Sequence, residues 1–223
     1  MFRKLISSAS LTTTLGCVVA LANPVFYGPS PYLGPSDSPL LASGAICPDF
    51  VIEDFERGGI SVAGLTASSG TVLFPGPSTD SVDIDADGIN GSGNAGHSWW
   101  SGFPNGQQTI TFTFSNLPSV AGIVWTDSFQ PEVDFVTFEA FDGSNTSLGT
   151  IGPTLVGDGL FTGGTAEDQF FGISNAGGIL SISLTMSSSH NFEMDHVQWG
   201  CSVPEPASVS LLAAGMLALL RRR

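Results

Sequence analysis

The sequence is poor in positive charge. Only six of its 223 residues are Lys or Arg, whereas twenty are Asp or Glu. Between Asn23 and Val203 a single basic residue, Arg57, stands against nineteen acidic residues, so this part has a formal net charge of −18. Such a surface repels nucleic acid and anionic lipid and attracts cations. The composition therefore argues against a nucleic-acid-binding protein.

The sequence also lacks the motifs of common hydrolases. Its three histidines form no H-E-x-x-H pair, and no G-x-S-x-G elbow is present. A literal G-x-G-x-x-G occurs at Gly91–Gly96. No strand–helix unit surrounds it and no basic group is near to bind a pyrophosphate, so it predicts no nucleotide site. We therefore predict that the chain is not an enzyme.

Cysteine is scarce, with three residues in the whole chain. Cys17 lies in an N-terminal export signal, which leaves Cys47 and Cys201 near the two edges of the remaining sequence. In an oxidising compartment an even pair is expected to form one disulfide, although two buried free thiols are the alternative. A bridge between them would close a long loop and stabilise the fold by roughly 4–5 kcal/mol.

The N-terminal residues predict export. Residues 1–22 combine the basic pair Arg3 and Lys4 with an apolar run and a small-x-small site that predicts cleavage between Ala22 and Asn23. Lipidation at Cys17 is the weaker alternative. Residues 23–46 contain five prolines, which disfavour helices and central strands. We predict a partly extended, mobile lead-in there.

From Cys47 onward, short runs of β-forming residues alternate with Gly, Asn, Asp and Pro. In the clearest run, Ile110, Phe112 and Phe114 alternate with threonines and predict one buried face. No convincing amphipathic helix interrupts this pattern. We predict one all-β domain over residues 47–202, a jelly-roll-like β-sandwich. The predicted strands are Phe50–Phe55, Thr71–Phe74, Thr109–Phe114, Gly122–Thr126, Val133–Phe141, Ser147–Ile151, Gln169–Ile173, Ile179–Met186 and Phe192–Trp199.

One loop has the pattern of a calcium site. Asp83, Asp85 and Asp87 occupy positions 1, 3 and 5, and Gly88 follows where an EF-hand makes its sharp turn. Position 12 is Asn94 rather than the usual bidentate Glu. Binding is therefore expected to be weak, on the order of 10⁻⁴–10⁻³ M. The alternative is a polar turn that binds no ion.

Two further groups are candidates for a ligand site. Trp99 and Trp100 are adjacent, so on a strand they point to opposite faces, and at most one belongs to the core. The other is a candidate sugar-stacking platform, and a partly exposed aromatic residue of the sandwich is the favoured alternative. Glu193 and Asp195 share one face of the last predicted strand with Val197 and Trp199. They are candidates for calcium binding or acid–base chemistry, and a solvated face is the alternative.

The C-terminal segment resembles the PEP-CTERM sorting signals. Val203, Pro204, Glu205 and Pro206 precede an apolar run over residues 207–220, and Arg221, Arg222 and Arg223 follow it. The resemblance implies a bacterial envelope protein held by a short transmembrane helix within residues 203–223. It also implies cleavage by an exosortase-type protease and delivery to the cell surface or matrix. The apolar run is shorter than the roughly twenty residues that usually span a bilayer. The middle of the chain also resembles the β-sandwich domains that such proteins carry.

These observations predict an exported, non-catalytic protein of the cell surface or extracellular matrix. Its expected partners are the export machinery, the processing protease and extracellular polysaccharide, with calcium as a candidate cofactor. A structural or adhesive spacer is the alternative function. A glycan-active enzyme that uses Glu193 or Asp195 is the least favoured one, because the sequence gives no sign that either acid of a pair has a raised pKa.

Overall fold

A computed structural model describes residues 23–42, 47–82, 95–102, 106–128, 134–157, 163–164, 167–187 and 191–202. Within these residues, twelve strands form two antiparallel sheets of seven and five strands, here named sheet A and sheet B. The strands are β1 Val25–Pro31, β2 Val51–Glu53, β3 Leu65–Ala67, β4 Thr71–Leu73, β5 Ser98–Trp100, β6 Gln108–Phe114, β7 Pro118–Ser128, β8 Asp134–Phe141, β9 Ser147–Val156, β10 Gln169–Ser174, β11 Ser181–Met186 and β12 Phe192–Ser202. A 3₁₀ turn at Pro35–Asp37 and a short helix, α1, at Pro39–Ala42 lie between β1 and β2.

Eight of these strands form a jelly roll. β8 pairs with β9, and around this hairpin β7 pairs with β10, β6 with β11, and β5 with β12. The nested pairs roll into two four-stranded arrays, with orders β5-β12-β7-β10 in sheet A and β6-β11-β8-β9 in sheet B. This confirms the predicted jelly-roll-like sandwich. Strands β1, β2 and β4 extend sheet A, and β3 extends sheet B.

The main core fills the space between the sheets. Ile110, Phe112 and Phe114 of β6 are buried there, as their alternation predicts. Trp125 of β7 and Phe171 of β10 enter the same core from sheet A. Burial of a side chain of this size stabilises the fold by about 1.5–3 kcal/mol, so this layer supplies the main driving force for closing the sandwich.

Every predicted strand overlaps an observed one, whereas β1, β3 and β5 were not predicted. Part of the lead-in predicted for residues 23–46 is an extended strand that belongs to the sandwich. Residues Val25–Pro31 form β1, which pairs with β10 at the edge of sheet A. Pro29 and Pro31 are compatible with this strand because an edge strand has one side without ladder partners. The sandwich therefore begins before Cys47.

Residues after β1 cover the outer face of sheet A. Tyr32 is fully buried, stacks on Phe170 and shares a hydrogen bond of 2.9 Å with Nδ1 of His196. The Phe170 ring lies against glycines: a Cβ on Gly122 would be 2.5 Å from its Cζ atom. Gly122 faces Gly172 on the neighbouring strand, so the glycine pair makes room for this second, smaller core.

A disulfide joins Cys47 to Cys201, as the sequence predicts, with the two Cα atoms 5.2 Å apart. The bridge links the chain just before β2 to the end of β12, and β2 itself pairs with β12. It closes a loop with a sequence separation of 154 residues, for which the loop-entropy relation gives a stabilisation of about 5 kcal/mol.

Candidate functional site

Six acidic side chains gather where β7 ends and where β10 and β12 begin. They come from four separate parts of the chain, and none is more than 8% exposed. We name this group the acidic cluster. Its members are Asp80, Asp127, Glu167, Asp168, Glu193 and Asp195.

Two members hold the segment Thr79–Val82 onto the sheet by hydrogen bonds. Oε2 of Glu193 accepts one from the backbone N–H of Asp80 at 2.8 Å and another from the Ser98 hydroxyl at 2.5 Å. Oδ2 of Asp195 accepts bonds from the Ser81 hydroxyl and the Val82 N–H, both at 2.9 Å. The donors satisfy these carboxylates and fix the position of Asp80.

Three other members converge on one point. Asp80, Asp127 and Glu167 each offer a carboxylate oxygen, and these three atoms lie within 4.8 Å of one another. Oδ2 of Asp80 accepts a bond from the Gly164 N–H at 3.3 Å, whereas its Oδ1 has no hydrogen-bond partner. Neither oxygen of Asp168, which follows Glu167 directly, has a partner, although this side chain is fully buried.

Burial and mutual repulsion raise the pKa values of the cluster. Desolvation, followed by the charge of Glu193, raises the pKa of Asp80 to about 8. Desolvation likewise raises the pKa of Glu193 to about 8 and that of Asp195 to about 7. The pKa of Asp168 is raised well above its usual value by desolvation and then by the charges of Asp80 and Asp195. Each of these groups is destabilised in its ionised form.

No Lys or Arg side chain neutralises the cluster among the described residues. Arg57 is the one such residue in the described ranges, and it is exposed. His196 follows Asp195, and its charge acts to lower the pKa of that carboxyl, but its ring also shares a hydrogen bond with Tyr32. A buried group of carboxylates without a cation costs free energy unless protons or a metal ion compensate it. Asp80, Asp127 and Glu167 are the residues whose oxygens are close enough to hold such an ion.

The predicted face of Glu193 and Asp195 requires a correction. The sequence pattern placed both on one face with Val197 and Trp199. In the structure the register of β12 against β7 shifts between Glu193 and Met194 and again between Asp195 and Gln198, and His196 has φ 43°. Met194, Val197 and Trp199 therefore all enter the main core. Glu193 and Asp195 are buried in the acidic cluster rather than exposed to solvent.

The two tryptophans are separated as adjacent strand residues should be. Trp99 packs in the main core and donates a hydrogen bond from Nε1 to the Ser69 carbonyl at 3.0 Å. Trp100 is half-buried. Phe74 is an exposed aromatic residue that the sequence pattern did not indicate as a ligand candidate. Its side chain is 64% exposed and stands edge-on to His97, with ring centroids 5.3 Å apart.

The predicted calcium loop, with Asp83, Asp85, Asp87 and Asn94, lies outside the described residues. The predicted signal peptide and its Ala22 cleavage site, and residues 203–223, also lie outside them. Among the residues with a described structure, no helix is long and apolar enough to cross a membrane. Of the acidic cluster, sequence reasoning selected Glu193 and Asp195 alone.

The segment that follows β12 decides which sorting class the chain carries. Residues 202–223 match the family model for the PEP-CTERM protein-sorting motif. The chain carries a PEP-CTERM sorting signal. The resemblance predicted from Val203, Pro204, Glu205 and Pro206 is thus confirmed. The signal implies export, membrane-associated sorting and an exosortase-type processing partner.

In this PEP-CTERM protein, the sorting signal and the disulfide adjoin each other. Cys201 directly precedes residue 202, where the motif match begins. Because Cys201 is bonded to Cys47, the signal emerges from a covalently closed end of the sandwich. The sorted cargo is therefore a β-sandwich that the disulfide closes from β2 to β12.

This PEP-CTERM protein has distant structural similarity to two domains from solved structures. No curated protein matches the sequence. The enzymatically active domain of tailspike protein 4 of bacteriophage CBA120 is similar over 66% of this chain and 20% of its own, with 12% identity and a TM-score of 0.37. The catalytic domain of a GH87 alpha-1,3-glucanase is similar over 70% and 28%, with 13% identity and a TM-score of 0.36. The chain therefore spans less than a third of the length of either structure.

Proposed function

We propose that the chain is a non-catalytic protein of the bacterial cell surface or extracellular matrix whose β-sandwich contacts polysaccharide. The observation that carries the proposal is the position of the sorting signal, directly after a sandwich closed by the Cys47–Cys201 disulfide. A domain of this kind is suited to an oxidising exterior, because β2 and β12 stay linked if the fold opens locally.

The burial of the candidate acids supports a non-catalytic function. A glycan-active enzyme needs a carboxyl group within hydrogen-bond distance of the substrate. Glu193 is 6% exposed and Asp195 is fully buried, and both accept hydrogen bonds from the segment that covers them. Their raised pKa values follow from burial, which a structural cluster produces as readily as an active site does.

Exposed aromatic residues supply the candidate contact with polysaccharide. Aromatic rings offer an apolar face on which a sugar ring can pack, and their burial by a ligand is favourable. Phe74 is the most exposed large apolar side chain of the described residues, and the half-buried Trp100 lies on the adjacent strand. Arg57 and His97 lie in the same part of the fold. A Cβ on Gly58, the residue after Arg57, would be 3.7 Å from Cε1 of Phe74, and the His97 ring contacts Phe74 edge-on.

Retention of the full-length chain on immobilised neutral and acidic polysaccharides tests this proposal. We expect Phe74→Ala to weaken retention several-fold. Leu155→Ala is the matched control, because Leu155 is a similarly exposed apolar residue of β9 in the opposite sheet. Absence of retention on every polysaccharide, or equal retention of both variants and the unaltered chain, would contradict the proposed contact.

The second candidate is a structural or adhesive spacer. The formal charge of −18 between Asn23 and Val203, from nineteen acidic residues against one arginine, favours it, because such a surface associates through shared cations. Sedimentation of the purified chain with and without millimolar calcium separates the two. Self-association that rises with calcium, together with no retention on polysaccharide, would favour the spacer.

A further inference from the structure

We propose that the acidic cluster is a calcium site in which Asp80, Asp127 and Glu167 coordinate the ion and Asp168 completes the set of carboxylates. Its residues differ from the predicted loop ligands Asp83, Asp85 and Asp87, and they come from separate parts of the chain that meet at the end of sheet A. It goes beyond the proposed function, since calcium would bind there whether or not the protein contacts polysaccharide.

The first argument is the spacing of the oxygens. Two ligands on opposite sides of an ion are separated by twice the metal–oxygen distance, which is about 4.6–5.2 Å for calcium. The oxygens of Asp80, Asp127 and Glu167 lie within 4.8 Å of one another, so one ion can contact all three. Ionised carboxylates accept hydrogen bonds and do not donate them, so three carboxylate oxygens this close together need a proton or a cation between them.

The second argument is independent of the clustering and concerns unsatisfied atoms. Both oxygens of Asp168 and Oδ1 of Asp80 are buried and accept no hydrogen bond. Buried polar atoms in proteins nearly always have a partner, and an unmet one costs about 1–3 kcal/mol, more when it is charged. The charge of Asp80 is the strongest one acting on Asp168, so these unmet oxygens belong to the same cluster.

The third argument concerns the ion. All candidate ligands are carboxylate oxygens, and such hard ligands favour calcium or magnesium over zinc or copper. Calcium takes six to eight oxygens in flexible geometry, whereas magnesium requires a small octahedron and retains several waters. Four carboxylates in a fully buried cluster fit calcium better, because they can replace most of its hydration shell.

The site would join three parts of the chain that are far apart in sequence. Asp80 belongs to the segment after β4, Asp127 to the end of β7, and Glu167 to the turn before β10. Thr126 of β7 already donates a hydrogen bond to the Asp80 carbonyl at 2.9 Å. An ion would add strong bonds to these existing contacts, so calcium is expected to stabilise the end of sheet A.

Thermal unfolding of the full-length chain tests the site directly. In the protein stripped with EDTA, we expect calcium at a hundred times its dissociation constant to raise the melting temperature by about 5–10 °C. Asp127→Asn combined with Glu167→Gln should abolish this rise. The matched control is Asp83→Asn combined with Asp85→Asn, which removes two carboxylates from the other loop and should retain the rise.

A second readout uses terbium, which replaces calcium at oxygen sites. A Cβ on Gly157 would lie 3.1 Å from Cη2 of Trp125 and 3.6 Å from Oε2 of Glu167, so the indole lies close to the proposed ligands. Terbium bound in the cluster should therefore emit when tryptophan is excited, and calcium should displace it with at least tenfold higher affinity than magnesium. If the double variant does not fold by circular dichroism, Glu167→Gln alone is measured in both assays.

Loss of the calcium response in the cluster variant supports the site whatever the loop variant does. A calcium response that the cluster variant retains, or no response of the unaltered chain to 10 mM calcium (an excess over the roughly 10⁻⁴–10⁻³ M of weak extracellular sites), would overturn it. Equal affinity for magnesium would overturn the assignment to calcium.

Discussion

Glu53 and Asp168 are both fully buried carboxylates, yet the protein surrounds them very differently. Glu53 ends β2 and accepts four hydrogen bonds: from the N–H groups of Phe55, Ser61 and Val62 and from the Ser61 hydroxyl. Asp168 precedes β10 and accepts none. One carboxylate therefore has a complete set of donors from its own turn, whereas the other lies among like charges.

The difference separates two uses of a buried acid. Glu53 organises the turn between β2 and β3, since the donors that it binds come from residues 55–62. The Asp168 side chain accepts no hydrogen bond from the described residues, so its burial requires another compensation, either a proton or a cation. The predictions below test whether the two carboxylates respond oppositely to pH, substitution and calcium.

The largest expected effect is that of pH on the metal-free protein. Asp80, Asp168, Glu193 and Asp195 have pKa values raised above their unfolded values, to about 8 for Asp80 and Glu193 and about 7 for Asp195. The folded state therefore binds more protons. Their contribution to stability is present below the unfolded pKa, near 4, and is lost as pH rises through about 7 to 8.

Each extra proton corresponds to a slope of about 1.4 kcal/mol per pH unit. Urea unfolding in EDTA from pH 5 to pH 8 should show this decline in the free energy of unfolding. The charges of Asp127, Glu167 and the neighbouring His196 act on the same carboxyl groups. Calcium should flatten the curve, because the ion favours the ionised carboxylates. Rising stability over this pH range in EDTA would contradict the interpretation.

The next largest effect is expected from Glu53→Ala. The substitution leaves three N–H groups of the turn without their acceptor and should reduce the free energy of unfolding by about 3 kcal/mol. The loss should be the same with and without calcium, because Glu53 is outside the acidic cluster. Glu139→Gln is the control: its carboxylate accepts one exposed hydrogen bond from Ser147, and the change should cost less than about 0.5 kcal/mol.

The smallest expected effect is a change in stability whose sign differs between Asp168 and Glu53. At pH 8 in EDTA, Asp168→Asn should stabilise the fold, since it removes a repelled charge while keeping the side-chain volume. In calcium the same variant should be less stable than the unaltered chain. Destabilisation of similar size under both conditions would mean that Asp168 has a hydrogen-bond role like that of Glu53.

Much of the fold was predictable because its strands follow simple patterns. The alternation in β6 places Ile110, Phe112 and Phe114 in the core, and the register with β11 preserves it. The pattern misleads in β12, where the shift near His196 moves Val197 to the core. It also misleads in β1, because prolines suggest a loop but are compatible with an edge strand.

The acidic cluster was less predictable because no local pattern contains it. Asp80 and Asp127 are isolated acids, and Glu167 and Asp168 stand in an ordinary turn sequence. The sequence indicates acids at strand ends, and the jelly-roll topology brings those ends together. The pairing of β7 with both β10 and β12 brings these acidic residues together. Their proximity follows from the tertiary fold rather than from their spacing in the sequence.

The Cys47–Cys201 disulfide has a mechanical consequence. A pull applied at Val203 reaches Cys201 and passes through the bridge to Cys47, so the 154-residue separation between them carries no tension. Force between the tail and the N-terminal side would act on residues 23–46, peeling β1 from β10 before any strand of the jelly roll is loaded. The disulfide thus diverts a pull between the tail and the N-terminal side away from the strands that it encloses.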